Sequence, residues 1–455
     1  MFILMFRFET VSRTNVSQPR ETMVELRLEG SYSSSDVIGL LHQARVAPIV
    51  TKLYLSGVHL DEGLARSIVD LLLSNYVVKS RIWERITFVR CSGPLHIVLA
   101  AMSLTKVKEL HYFADNDGRC ADFQMLSNPE LQTVSFGNIS LSTENVKQLA
   151  RNLANNTTLK SFRLSQCHLD RDAVLELSRS LRWNRNLREV HLTECDLSDG
   201  QIATLVYALD SSQSLECLQV NGNRCRQQGI AAIAKLLSSK TTRLTALDIS
   251  DQFGFEDSEP SVDEGNTNLP ISYLFEAMKS NNSLRSFAAR ECNLQDHDLR
   301  GIVRVLCHHD CIEDVDLQYN QISNEGLKTI FASNLNSMKS LKRILLRQGR
   351  GILHEDVRDA LIEGLKSNSY LESLDLFQWV DDMEYYFDLN RAGRRLFTDE
   401  HFSLSLWPLV FEKIPNVVKG NGGFDWGTRR ARKDAIRQAN IFYHMLRFGP
   451  ILFVR

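Results

Sequence analysis

The pattern L-x-x-L-x-L-x-x-(N/C)-x-L recurs along this chain and constrains its fold more than any other feature. It begins at Met23, Val50, Trp83, Val107, Leu131, Leu159, Leu187, Leu215, Leu244, Leu284, Ile312, Leu341 and Leu371. These starts are separated by 27, 33, 24, 24, 28, 28, 28, 29, 40, 28, 29 and 30 residues, so the period settles at 28 to 29 through the middle. The clearest copies read LKSFRLSQCHL (159–169), LREVHLTECDL (187–197) and IEDVDLQYNQI (312–322). A unit of this length cannot bury its own apolar side and must stack on neighbouring copies, so a soft prior of one domain per ~150 residues does not apply to the 455 residues.

Within a copy, alternation such as Val190, Leu192 sends two apolar side chains to one side of a short strand while His191 faces the other. Three residues beyond the second of these stands Cys167, Cys195, Asn223, Cys292 or Asn320, where the chain leaves the strand. Asn can bond neighbouring backbone there, and Cys is a small, weakly polar substitute, so both choices are structural. The second half of a unit, for example 146–153, has apolar residues at helical spacing and ends in Asn or Ser before the next strand. Each unit is expected to be strand, turn, helix.

Units of this length and wording resemble the ribonuclease-inhibitor-like class of leucine-rich repeat proteins over about residues 20–380. The resemblance implies an α/β fold: a right-handed solenoid of about thirteen repeats, horseshoe-shaped, with a parallel sheet inside and helices outside. The wider spacing of helices than of strands would curve it. Residues 1–22 are expected to be an N-terminal lead-in, 23–380 the repeat domain, and 381–455 an aromatic-rich helical C-terminal cap. The cap is required because an open solenoid must cover its last apolar face. Three of the five Trp fall in 371–455. There, LNRAGRRL (389–396), LSLWPLVFEK (404–413) and ANIFYHMLRFGPILF (439–453) are similar to the tail of leucine-rich repeat proteins associated with diatoms; this likeness implies no activity.

Two irregularities stand out. Steps shorten to 24 on either side of Val107, and the copy VKELHYFADND lacks an apolar residue at its last position. The step after Leu244 lengthens to 40, and the insertion 251–270 holds Asp251, Glu256, Asp257, Glu259, Asp263 and Glu264 without Lys or Arg, which reads as a solvated acidic surface loop.

Fifty-three Lys+Arg against 55 Asp+Glu give a net charge of −2, so the molecule as a whole has no pull toward nucleic acid or an anionic membrane. No stretch approaches the roughly 20 apolar residues that span a bilayer, and the apolar start MFILMFRF is broken at Arg7, so neither a membrane anchor nor a signal peptide is expected. Nine cysteines without framework spacing suggest reduced thiols and a cytoplasmic location. The alternative, nuclear, location rests on the basic cluster 428–433, which reads first as a solvated helix face.

Catalytic motifs such as H-E-x-x-H, G-x-S-x-G and the phosphate loop are absent from the sequence, and Gly349-Arg-Gly351 reads as a repeat turn. The run Cys307-His308-His309-Asp310-Cys311 gathers residue types that bind metals, but Cys307 falls on the apolar face of a helix and Cys311 abuts strand residue Ile312, so it reads as structural. No enzyme activity, cofactor or metal is expected.

What remains is the concave face. Its expected partner-binding residues are Arg163, His191, Glu194, Asp248, Asp251, Arg290, Glu291, Asp314, Asp316, Tyr319, Arg343 and Arg347, with acidic density around Asp248, Asp251, Asp314 and Asp316 beside an Arg and Tyr group. Exposed acids there suit a protein partner with a basic surface, and no nucleic acid or membrane. The leading expectation is a non-enzymatic interaction scaffold. The alternative is a GTPase-activating protein of the Ran-activating type, a family similar in repeat class, whose acidic C-terminal tail is replaced here by an aromatic and basic one.

Overall fold

A computed structural model of the chain describes residues 5–8, 24–29, 37–39, 41–42, 44, 50–73, 82–119, 123–141, 143–210, 212–239, 241–252, 271–348, 353–376, 381–395 and 441. Every one of the thirteen repeat starts lies within two residues of the first residue of a strand. The expected α/β leucine-rich repeat solenoid is therefore the fold. It divides into two compact units, Met1–Leu244 with Gln252–Gly254, and Thr245–Asp251 with Phe255–Arg455.

The first unit has strands β1 (Met5–Phe8), β2 (Val24–Glu29), β3 (Val50–Ser56), β4 (Trp83–Val89), β5 (Val107–Arg119), β6 (Thr133–Ser140), β7 (Ser161–Ser165), β8 (Glu189–Thr193) and β9 (Cys217–Gln219). Strands β2 to β9 run parallel as successive neighbours, while β1 pairs antiparallel with β2. The N-terminal lead-in thus contributes a strand that the repeat pattern did not signal. The helices of this unit include α1 (Glu62–Leu73), α2 (Leu95–Ala101), α3 (Thr143–Asn155), α4 (Arg171–Trp183), α5 (Asp199–Leu209) and α6 (Gln227–Ser238).

The second unit has parallel strands β10 (Ala246–Asp248), β11 (Ser286–Ala288), β12 (Asp314–Asp316), β13 (Arg343–Leu345) and β14 (Ser373–Asp375). Its helices are α7 (Ile271–Ser280), α8 (Asp296–His308), α9 (Glu355–Ser367) and α10 (Asp381–Arg391). Between β12 and β13 the helical path is composite: one α turn (Asn324–Gly326), a wider π segment (Leu327–Phe331) and a 3-10 segment (Ala332–Ser337). A π segment absorbs an extra residue without shifting the neighbouring strand, and this repeat is one residue longer than the one before it.

Helix length explains the short repeats. After β4 the return path is α2 plus a single 3-10 turn (Met102–Leu104), and after β5 the described residues hold the 3-10 turn Gln124–Ser127, so 24 residues suffice. The copy at Val107 still forms the longest strand among those described.

The core follows from the alternation. In β7 to β9, Phe162, Leu164, Val190, Leu192 and Leu218 are buried, while Arg163, His191 and Gln219 are only part-covered. Helix α4 supplies Val174, Leu177 and Leu181 to the same core.

Two side-chain posts recur at the strand ends. Three residues before the repeat starts, Asn156, Asn184, Asn281 and Asn368 accept through Oδ1 a backbone N–H bond from the repeat-start leucine ahead of the next strand, and Asn128 accepts one from Glu130. Asn128, Asn156, Asn184 and Asn368 also donate through Nδ2 to carbonyls of the repeat before. At the other post, Asn223 and Asn320 accept from the preceding repeat and donate to Leu192 O and Ala289 O. Cys167, Cys195 and Cys292 fill that post with a thiol that donates to carbonyls, and burial pushes the Cys195 thiol up to about 12. After β14, helix α10 packs back on the last repeat: Asn390 donates to Asn368 O and Leu371 O, and Arg394 donates to Leu365 O and Asn368 O, the carbonyls that correspond to those bonded by the Asn posts of earlier repeats. The insertion 253–270 and the tail beyond 395, Ile441 excepted, lie outside the described residues.

Candidate functional site on the open face of the sheet

Side chains at alternate strand positions that do not enter the core lie on the sheet's open face, and strand register arranges them in lateral rows. In the first unit one row runs Arg85, Glu109, Thr133, Ser161, Glu189, Cys217, and the next runs Thr87, His111, Ser135, Arg163, His191, Gln219. Both rows are polar throughout. Arg163 donates to Glu189 at 2.8 Å, and Ser161 donates to the same carboxylate oxygen at 2.8 Å. Burial alone would raise the Glu189 carboxyl, but these two bonds outweigh it and hold it below the usual carboxylate range. His191 lies 3.7 Å from Glu189 and 3.8 Å from the Cys217 thiol.

The sequence expectations omitted a second copy of this constellation. Arg85 bonds Glu109 at 2.7 Å, and His111 sits 3.7 Å from Glu109 and 3.0 Å from the Ser135 hydroxyl. Burial, reinforced by Arg85, lowers the His111 pKa. The signal was present: Glu-x-His occupies the same two places after Val107 and after Leu187.

In the second unit one row reads Ala246, Ser286, Asp314, Arg343, Ser373, and the next reads Asp248, Ala288, Asp316, Leu345, Asp375. Asp314 and Asp316 do share the open face, but they are not equivalent. Asp314 receives two bonds from Arg343, at 2.5 and 3.0 Å, and this pairing raises the Arg343 pKa. Asp316 accepts from Gln318 N at 3.0 Å, and burial pushes its carboxyl up. Arg347 bonds Asp375 at 3.1 Å. Of the four expected acids Asp314 is thus tied to an arginine of the neighbouring strand, and Asp375, outside the expected set, is bound likewise by Arg347.

A row along the sheet rim was not expected. In nine repeats the residue seven places after the start has a left-handed φ between +50° and +68°: Gly57, Arg90, Asn138, Gln166, Glu194, Gly222, Asp251, Glu291 and Tyr319. Only two of these are glycine, although a Cβ is disfavoured there. Hydrogen bonds to the next repeat hold the conformation, as in Glu194 N to Asn221 O, Glu291 N to Gln318 O and Tyr319 N to Arg347 O. Gln166 bonds Glu194 at 2.8 Å along this rim. In the second unit Asp251 faces Glu291, and burial followed by that like charge raises the Asp251 carboxyl. Arg290 stacks over the Tyr319 ring at 5.1 Å and lies 3.5 Å from Glu291. Tyr319 remains 40% exposed.

The Cys307, His308 and His309 side chains of the 307–311 run make separate contacts. The Cys307 thiol lies 4.0 Å from Asn334 O, His308 contacts Arg304 O, and His309 accepts from Cys311 N and Ile312 N.

Compared with known proteins, residues 308–331 match the family model described as Leucine Rich repeat. Among curated protein sequences none matches. Similar solved structures include leiomodin-1 actin-binding site 2, at 17% identity and TM-score 0.30, covering 36% of this chain and 89% of that one. Another is the tropomodulin C-terminal domain from Caenorhabditis elegans, at 14% identity and TM-score 0.29, covering 35% and 90%. Among the described residues no helix is long and apolar enough to cross a membrane.

Proposed function

We propose that this leucine-rich repeat protein is a non-enzymatic interaction scaffold whose open sheet face and rim bind one protein partner. The observation that carries the proposal is the rim of the second unit, where Asp251, Glu291 and Tyr319 hold left-handed backbone and present side chains outward, with Arg290 on the Tyr319 ring. Bulky, charged residues at posts that glycine would fill at lower conformational cost point to use of the side chain. Tyr and Arg supply large contact area with a polar tip, which is why they recur as interface anchors. The twelve expected residues fall into two groups on this reading: Arg163, His191 and Glu194 in the first unit, the other nine in the second.

The ribonuclease-inhibitor-like subtype, the limits 23–380 for the repeat domain, the cap 381–455 and a cytoplasmic location belong to the same proposal. Support comes from the 28–29 residue period with full α-helices in most units, from the bonds of Asn390 and Arg394 to carbonyls of the last repeat, and, for the location, from nine cysteines without framework spacing.

The test is to isolate the partner by affinity purification and mass spectrometry, then to measure its Kd for three variants. Tyr319→Ala and Glu291→Lys should each weaken binding about tenfold or more, and Arg179→Glu on the outer side of α4 should leave it unchanged. The opposite pattern would overturn the proposal. Orders-of-magnitude acceleration of GTP hydrolysis by a small Ras-like GTPase would replace it with the GTPase-activating alternative.

A further inference from the structure

His309 stands in the second unit at the post that other repeats give to Asn, three residues before a repeat start. It is 5% exposed. Its Nδ1 accepts two backbone N–H bonds, from Cys311 and Ile312, each at 3.1 Å. Asn184, Asn281 and Asn368 receive the equivalent pair through an amide oxygen. An amide oxygen accepts at every pH, whereas an imidazole nitrogen accepts only while it carries no proton.

The two donors fix the tautomer: Nδ1 is bare and Nε2 carries the hydrogen. Nε2 is buried without a hydrogen bond of normal geometry. A second proton would have to go onto Nδ1, where it would meet two N–H groups that already point at that atom. Both bonds would break, and two backbone donors at the start of the repeat would lose their acceptor, each a costly event in a buried turn.

We propose that His309 is a built-in acid-sensitive latch, closing the turn between α8 and β12 when neutral and releasing it when protonated. The groups acting on the ring are few. Asp310 on the same turn and the Asn281 backbone from the turn after α7 favour the proton, but burial outweighs both and lowers the pKa. From the turn before β13, Ser340 donates to the His309 carbonyl rather than to the ring. The Cys311 thiol belongs to the same turn. The latch holds the approach to β12, the strand that carries Asp314 and Asp316.

The sign follows from the direction of the shift. A histidine whose pKa is lower in the folded chain binds its proton first in the unfolded chain, so the fold is undisturbed above about pH 6.5 and loses stability as pH falls from there toward the folded pKa. His309→Asn keeps the acceptor and removes the titration. The experiment is the Tm of the full chain and of His309→Asn between pH 7.5 and pH 5, with the change in the gap as the readout, since other titrating groups are common to both. The gap should move by about 2–4 °C in favour of Asn as pH falls. Parallel Tm curves would overturn the latch. A nitrogen-detected NMR spectrum of the imidazole gives a second check that needs no variant: a neutral ring with hydrogen on Nε2 at pH 7.5 is expected, and hydrogen on Nδ1 would contradict the mechanism outright.

Discussion

Asp316 shows how much one residue's meaning depends on its neighbours in register. From sequence it reads as an exposed acid paired with Asp314. In the fold its row partners on the adjoining strands are Ala288 and Leu345, so the carboxylate is half-buried and its pKa is raised. A carboxyl raised in this way favours the neutral form, so its charge opposes folding at neutral pH, and the penalty fades as pH falls through the folded pKa to the unfolded value near 3.9. Asp316→Asn keeps an oxygen for the Gln318 N–H and sheds the charge. Its Tm is expected to exceed that of the parent protein at pH 7 and to converge with it below about pH 4; a lower Tm at pH 7 would mean that the charge has a stabilising partner. Asp314 behaves oppositely: its substitution would strand Arg343, which donates two bonds to it.

The local elements were the most legible part of the sequence. Strand starts followed from the leucine positions because period-2 alternation and the 28-residue repeat reinforce each other. The Asn and Cys posts were legible as structural because few side chains satisfy backbone at a turn. What escaped was everything set by register. The pairs Arg285–Glu313, Arg188–Glu216 and Arg347–Asp375 join residues 28 apart, and a search for complementary charges at the repeat period would have found them. The left-handed rim escaped because Glu194, Asp251, Glu291 and Tyr319 carry no glycine to announce it. Strand β1 escaped because it lies outside the repeat altogether.

At this scale the Asn post is the element's fastening. Asn184 is buried, accepts from Asn186 N and Leu187 N, and donates to Leu153 O and Asn156 O. Removing its amide leaves two N–H groups and two carbonyls short of a partner between α4 and β8. Asn184→Ala is expected to lower stability by about 2–4 kcal/mol in denaturant unfolding, whereas a change under 1 kcal/mol would show that water takes over the post.

For the molecule as a whole, the repeat supplies a scaffold whose apolar alternation is spent on the core and whose remaining positions are free to vary. That freedom is what the open face displays: a first unit lined by Ser, Thr, Gln, His and paired Arg–Glu, and a second unit in which Asp248, Asp251, Glu291 and Asp316 accompany Arg290 and Tyr319. In the second unit Asp314 and Asp375 pair closely with arginines, at 2.5 and 3.1 Å, whereas the rim acid Glu291 is held more loosely, 3.5 Å from Arg290, so the rim acids have the stronger case as contacts for basic groups of a partner. The most direct measurement is amide hydrogen exchange on the full chain, free and bound to the partner isolated through it. Slowed exchange should fall on the strand ends and rim, at 248–251, 290–291, 318–319 and 343–347, with helices α4, α5 and α9 unchanged. Slowing confined to those helices would contradict binding on the open face.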